Sequence, residues 1–93
     1  MADIAEKTDR YERLLADALA AAETGPSPDS PLGQAAAEFR EMAESYLADG
    51  RHFRDDGNLV DALAAFSYGH AWLDAGARIG LFDVPAEGHL FTV

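Results

Sequence analysis

The fold is decided by the stretch NLVDALAAFSYGHAWLDAGARIGL, residues 58–81, whose charged side chains are only Asp61, Asp74 and Arg78. Its apolar residues recur at helical spacing and form two faces, one of Leu59, Leu63, Phe66, Leu73 and Ala77 and the other of Val60, Ala64, Tyr68, Trp72 and Ile79. A helix that is apolar on most sides is buried on most sides. We therefore predict a central helix, with either both faces covered by its neighbours or one face left for a partner.

Two further helices are predicted on the N-terminal side of this segment. Residues 3–24 carry one apolar stripe at helical spacing and end at Gly25, which stops a helix. Residues 31–56 follow Ser30, a favourable N-cap, and start with Pro31, which is favoured at the first helical position. Within this second segment large apolar side chains repeat every seven residues, as in the seam of a bundle: Leu32, Phe39, Tyr46 and Phe53.

The C-terminal tail, residues 83–93, is short but too apolar to extend freely into water. It contains Val84, Leu90, Phe91 and Val93, so we expect at least part of it to lie against the helices. No strand pattern is evident along the chain. The sequence therefore predicts a single all-α domain over residues 1–93, a three-helix antiparallel bundle with helices at about 3–24, 31–56 and 58–81 followed by the tail.

The junction between the second and third helices resembles one unit of a tetratricopeptide repeat. Small and aromatic residues fall at the spacings of that repeat: Tyr46, Gly50, Phe53, Gly57, Ala62, Phe66 and Gly69. A single unit cannot make a solenoid, so this resemblance predicts a close antiparallel hairpin and not a repeat-protein function. Gly69 and Gly76 share one helix face, and we expect a neighbouring helix to approach closely at both.

A more specific resemblance covers nearly the whole chain. The segment DGNLVDALAAFSYGHAWLDAGARIGLF, residues 56–82, resembles the signature of an archaeal family known as domain of unknown function 357. Upstream residues also fit the second helix of that family: Met42, Ala43, Tyr46, Asp49, Phe53 and Gly57. The resemblance implies a small three-helical protein, and no activity is established for the family.

The charge balance excludes several classes of partner. Seventeen acidic residues against seven Lys and Arg give a net charge of −10, which disfavours direct binding to nucleic-acid phosphates and to anionic membranes. The chain has no cysteine, hence no disulfide framework and no thiolate metal site. Basic protein surfaces remain suitable partners.

The surface composition also indicates a cellular environment. Lys7 is the single lysine, and a strongly acidic surface poor in lysine suits a high-salt cytoplasm, which we interpret as a halophilic archaeal source. An ordinary acidic protein from a high-GC genome is the alternative. No signal peptide and no stretch of about 20 apolar residues is evident, so we expect a cytoplasmic protein.

Four polar residues of the third helix form the candidate binding site. Ser67, His70, Asp74 and Arg78 are spaced by three, four and four residues and therefore make one row along the helix. The row predicts either a small-ligand or proton-transfer site, with His70 as the titrating group, or a satisfied polar seam that fixes the packing of the helix.

The row lacks the features of a catalytic centre or a metal centre. Ser67 has neither a nucleophile elbow nor an oxyanion loop, so no catalytic residue is assigned. His70 and Asp74 supply two metal ligands, and a third would have to come from another helix, from Glu38, Glu41 or Glu44. We therefore expect no metal and no cofactor.

The second apolar face of the third helix is the candidate interface. Tyr68 and Trp72 lie four residues apart with Ile79 further along, and Tyr and Trp are frequent interface anchors. Coverage by the first helix or by the tail is the structural alternative. The sequence favours a non-enzymatic module that binds a protein partner or itself, and the alternative is a ligand-binding or enzymatic site on the row of His70, Asp74 and Arg78.

Overall fold

The computed structural model describes residues 3–92, and within them the chain is an all-α bundle of three helices with one pair of very short strands. In chain order the elements are α1 (Ile4–Ala21), β1 (Glu23–Thr24), α2 (Pro31–Asp55), α3 (Leu59–Arg78) and β2 (Phe82–Asp83). The predicted three-helix class is confirmed. Val93, which was expected to belong to the docked tail, lies outside the described residues.

α1 and α3 end at Ala21 and Arg78, each three residues earlier than predicted, because the chain forms an antiparallel strand pair after each of them. Glu23 pairs with Asp83 and Thr24 with Phe82, and the Gly25 N–H donates to the Leu81 carbonyl at 3.0 Å. The expectation that the chain has no strand was therefore wrong at this point. Two residues per strand are too few for an alternating sequence pattern to reveal them.

Glycines end α2 and α3 in the same way. Gly57 and Gly80 have positive φ values of 83° and 84°, which glycine adopts without steric penalty. The following residues, Asn58 and Leu81, donate their N–H groups back into the helices, to the Phe53 and Gly76 carbonyls at 2.8 Å. The α2–α3 turn is therefore as tight as the predicted hairpin requires, although the Asn58 side chain makes no capping hydrogen bond.

The core is built from small residues that bring the helices close and a few large ones that fill the space between them. Phe66 is fully buried, and a Cβ atom added at Gly50 would lie only 2.3 Å from its ring. A Cβ atom at Gly69 would lie 2.7 Å from Leu15 of α1. At Gly76 the close neighbour is the Phe82 ring, at 2.5 Å. Close approach is confirmed at Gly69, whereas at Gly76 the approaching group is a side chain beyond the helix.

Arginine side chains of α2 fasten α1 to the bundle. Arg40 donates to the carbonyls of Leu19 and Ala22 at 3.1 and 2.6 Å and so caps the C-terminal end of α1, whose last turn has no basic residue of its own. Near the middle of α1, Glu12 accepts hydrogen bonds from Arg51, at 2.6 Å, and from Arg54.

Partial burial raises the pKa of Glu12, but the hydrogen bonds from Arg54 and Arg51 lower it further, so this pKa lies below its ordinary value. None of the helices in residues 3–92 is long and apolar enough to cross a membrane.

Candidate functional site

The C-terminal tail is held at two places, first by β1 and then by α3. The first attachment is the strand pair at Phe82–Asp83, after which the half-buried Val84 packs against the core. The second is formed by Leu90 and Phe91, which also pack against the core. Residues 85–89 between these two attachments are exposed. Tail docking, expected from apolar composition alone, therefore occurs at both ends of the described tail.

Three members of the predicted polar row hold the second attachment. The His70 ring contacts the Leu90 carbonyl through Nε2, and because a carbonyl only accepts, this nitrogen carries the proton. Asp74 accepts from the Thr92 N–H at 2.8 Å with Oδ1 and from the Thr92 hydroxyl with Oδ2. Arg78 donates to the Thr92 carbonyl at 3.1 Å.

The fourth member of the row does not take part in this contact. The exposed Ser67 hydroxyl donates to the Leu63 carbonyl one turn earlier at 2.9 Å, a local bond within α3. Asp74 and Arg78 each make hydrogen bonds to Thr92. The binding role proposed for Ser67, His70, Asp74 and Arg78 stays a prediction.

The electrostatics of Asp74 follow from this contact. Partial burial raises the pKa of its carboxyl group, but the two hydrogen bonds from Thr92 and the nearby His70 and Arg78 lower it further. The net pKa of Asp74 lies below its ordinary value. The carboxylate is therefore ionised at neutral pH and acts as an acceptor for the tail.

The opposite side of α3 forms a shallow apolar groove with α2. We define the α2–α3 groove by its lining residues, which enclose about 300 Å³ and are Phe39, Tyr68, Ala71, Trp72 and Ala75. Trp72 meets Phe39 edge-on, with ring centroids 4.9 Å apart, and Tyr68 packs on Tyr46 at 5.8 Å. α2 therefore covers part of this face, where the first helix or the tail was the expected structural cover.

Much of this face stays in water. Tyr68 is 62% exposed and Ile79 is 65% exposed, while Trp72 is half-buried. The same two helices carry exposed carboxylates: Glu38 precedes the groove residue Phe39 in α2, and Asp61 lies two turns before Tyr68 in α3. The groove is thus an apolar surface on helices that also carry negative charge. The interface role of Tyr68, Trp72 and Ile79 stays a prediction.

A second depression lies between α1 and the tail, and we call it the α1–tail cleft. One part has a volume of about 300 Å³ and is lined by Arg10, Tyr11, Arg13, Leu14, Asp17 and His89. The adjoining part, about 280 Å³, shares Tyr11, Leu14 and His89 and adds Phe66, Ser67, His70 and Thr92. The sequence alone does not predict this cleft, because docking of the tail creates one of its walls.

Metal ligation finds no support in the geometry of the described part of the chain. Among residues 3–92, no three His, Cys, Asp or Glu side chains gather in a way that could hold an ion. The combination of His70 and Asp74 with Glu38, Glu41 or Glu44 is therefore not assembled.

The fold and these surfaces define a class of protein, a small three-helix bundle whose C-terminal tail is fastened to its third helix. Residues 10–82 match the family model described as "Protein of unknown function (DUF357)", and this range spans more than three quarters of the chain. The chain belongs to this family, as the resemblance of residues 56–82 predicted. No curated protein and no solved structure shows a significant match to the chain.

Proposed function

We propose that the protein is a non-enzymatic interaction module and that its α2–α3 groove binds a basic amphipathic helix of a partner protein. The observation that carries this proposal is the exposed apolar surface at the groove, where Tyr68 is more than half exposed, and which the equally exposed Ile79 extends one turn beyond Ala75 along α3. Apolar side chains scattered singly over a surface are normal, but a contiguous set around a depression is typical of an interaction site.

The shape of the groove favours a helical occupant. It runs between two packed helices, and its aromatic lining comes from both of them, Phe39 from α2 and Trp72 from α3. A helix laid into such a groove buries its own apolar stripe against the aromatic side chains. Trp and Tyr are also the residues that most often dominate the binding energy at an interface.

The charge favours a basic occupant over a second copy of the chain. Two copies of a chain with a net charge of −10 repel each other. A lysine-rich helix instead places positive charge opposite Glu38 and Asp61, both exposed. We therefore expect that the protein does not self-associate through this groove.

The alternative, a ligand or catalytic site on the row of His70, Asp74 and Arg78, is less well supported. The polar atoms of these side chains that would meet a substrate are already bonded to Leu90 and Thr92 of the tail. In this arrangement the three side chains hold the tail against α3.

Trp72 offers a direct test, because it is the single tryptophan of the chain and lines the groove. The probe is an amphipathic 18-residue helix made of leucine and lysine, titrated into the protein while Trp72 emission is recorded. We expect a saturable blue shift as the indole is covered. Tyr68→Ser should weaken binding by about tenfold or more, since a hot-spot residue contributes about 2 kcal/mol.

The matched controls separate groove binding from general attraction of charge. Val60→Ser removes another exposed apolar side chain of α3, 73% exposed and outside the groove, and should leave the affinity unchanged. A leucine–glutamate helix of the same length should not bind. Equal loss of affinity in both serine variants, or a dimer in light scattering without peptide, would contradict the proposal.

A further inference from the structure

We infer that the α1–tail cleft binds a small organic anion, a carboxylate, phosphate or sulfonate group carried on an apolar or aromatic body. This site lies between α1 and the tail, on other residues than the α2–α3 groove. It also differs from the row on α3, whose polar groups hold the tail.

The first support is a local reversal of charge. The chain as a whole carries −10, yet the charged residues that line the cleft are two arginines, Arg10 and Arg13, and one carboxylate, Asp17. Clustered positive groups in a concave site raise the local concentration of anions.

The second support is that, within residues 3–92, Arg10 and Arg13 make no hydrogen bond or ion pair like those of the α2 arginines. Arg40 caps α1, and Arg51 and Arg54 are engaged with Glu12. Arg10 and Arg13 are instead exposed on the cleft side of α1, and Arg10 lies 5.9 Å from the centre of the Tyr11 ring. A guanidinium group next to an aromatic ring suits a ligand that combines an anion with an apolar part.

The third support is the apolar floor. Tyr11 and Leu14 line both parts of the cleft and are only half-buried. An inorganic anion alone would leave these side chains uncovered. An anion on an aromatic body buries that surface while its charged group meets the arginines at the cleft mouth.

The tail is the wall that completes the site. His89 and Thr92 line the cleft, and Asp74 holds Thr92 in place without being among the lining residues. Asp74 is therefore a positioning residue for the ligand. Removal of the negative charge of Asp74 makes the cleft more positive, which would strengthen the binding of an anion. It also releases the tail that forms one wall of the cleft, which would weaken binding.

The experiment uses the full chain and the fluorescent probe 8-anilinonaphthalene-1-sulfonate, an aromatic sulfonate. We expect saturable binding to the native protein that weakens roughly fivefold to tenfold in Arg13→Gln, as expected for loss of one charged hydrogen-bond donor. Arg51→Gln makes the same change in net charge on α2 and should leave probe affinity unchanged. Circular dichroism checks that each variant keeps its helices.

Asp74→Asn then separates the site from simple charge attraction. We expect it to weaken probe binding at least threefold, because the wall is lost. Tighter binding in Asp74→Asn, unchanged binding in Arg13→Gln, or loss of binding in the groove variant Tyr68→Ser would each overturn the inference. Should Asp74→Asn unfold, Thr92→Val removes only the hydroxyl bonds to Asp74 and Arg78 and carries the same expectation.

Discussion

Replacing Gly50 by alanine tests how closely α2 and α3 pack. At an open helical position this change stabilises a protein by about 1 kcal/mol, because alanine has the better helix propensity. At Gly50 the new methyl group would lie 2.3 Å from Cε1 and 2.5 Å from Cδ1 of the Phe66 ring. Phe66 is fully buried, so its ring has no free space to enter.

The sign of the change in the free energy of unfolding shows which of the two effects is larger at Gly50. Forcing an extra methyl group into a packed core costs about 3 kcal/mol at the upper end of the usual range, and subtracting the gain in propensity leaves a net loss of about 2 kcal/mol. Urea unfolding followed by circular dichroism measures this difference through the midpoint at constant slope. A Gly50→Ala variant as stable as the native protein, or more stable, would refute the packing described for this crossing.

Two controls complete the experiment. Ala48→Gly changes an exposed position of the same helix and should cost about 1 kcal/mol from propensity alone. Phe66→Leu shortens the opposing side chain, so in that background Gly50→Ala should become neutral or stabilising. Additive effects of the two substitutions would show that the methyl group and the ring do not meet.

Three further changes probe the polar contacts. Arg40→Met removes both bonds that cap α1 and should destabilise the protein by about 2 kcal/mol in urea unfolding, since bonds from a charged donor are strong. Glu12→Gln should flatten the acid limb of a thermal stability profile, because a lowered pKa adds stability above the ordinary carboxylate value of 4.5 and loses it as the pH falls. The lowered pKa of Asp74 likewise predicts that the tail is held at neutral pH and released below 3.8, visible in the Thr92 amide resonance.

Each of these has a result that contradicts it. Unchanged stability of Arg40→Met would show that water satisfies the last carbonyls of α1. An acid limb of the same steepness in Glu12→Gln would mean that its contacts with Arg54 add nothing to folding. A Thr92 resonance that stays constant while the Asp74 carboxyl group titrates would exclude their hydrogen bond.

The helices were predictable because they depend on short-range patterns. The two apolar faces of residues 58–81, the Ser30 cap and the seven-residue repeat from Leu32 to Phe53 all act within a few turns. The approach of α1 and α2 to Gly69 could also be inferred, since glycine inside a helix is costly unless a neighbour needs the space.

The contacts between distant segments were not predictable in the same way. Arg40 reaches α1 across 18 residues of sequence and Glu12 reaches Arg54 across 42, and nothing in the spacing of either pair marks it. The strand pair of Thr24 with Phe82 likewise has no recognisable pattern in the sequence. Such pairings depend on how the helices cross, which is set by the whole core.

The candidate site was predicted in its residues but not in its partners. The spacing of His70, Asp74 and Arg78 correctly places them in one row, yet their contacts with Leu90 and Thr92 of the tail were not predicted. An apolar tail near a polar row on a nearly uncharged helix was the available signal. Nothing in the sequence brings Arg10 and Arg13 together with the tail, because the wall opposite them forms only when the tail docks.

The most direct test of the account is a nitrogen-15 amide spectrum of the native protein titrated with the leucine–lysine helix. One side of α3 is covered by the tail, and we propose that the other side binds a partner. We therefore expect the amide resonances of Tyr68 and Trp72 and the Trp72 indole resonance to shift and saturate together, while the Thr92 amide resonance does not shift. Shifts that concentrate at Thr92 and leave Trp72 unchanged would contradict the proposal.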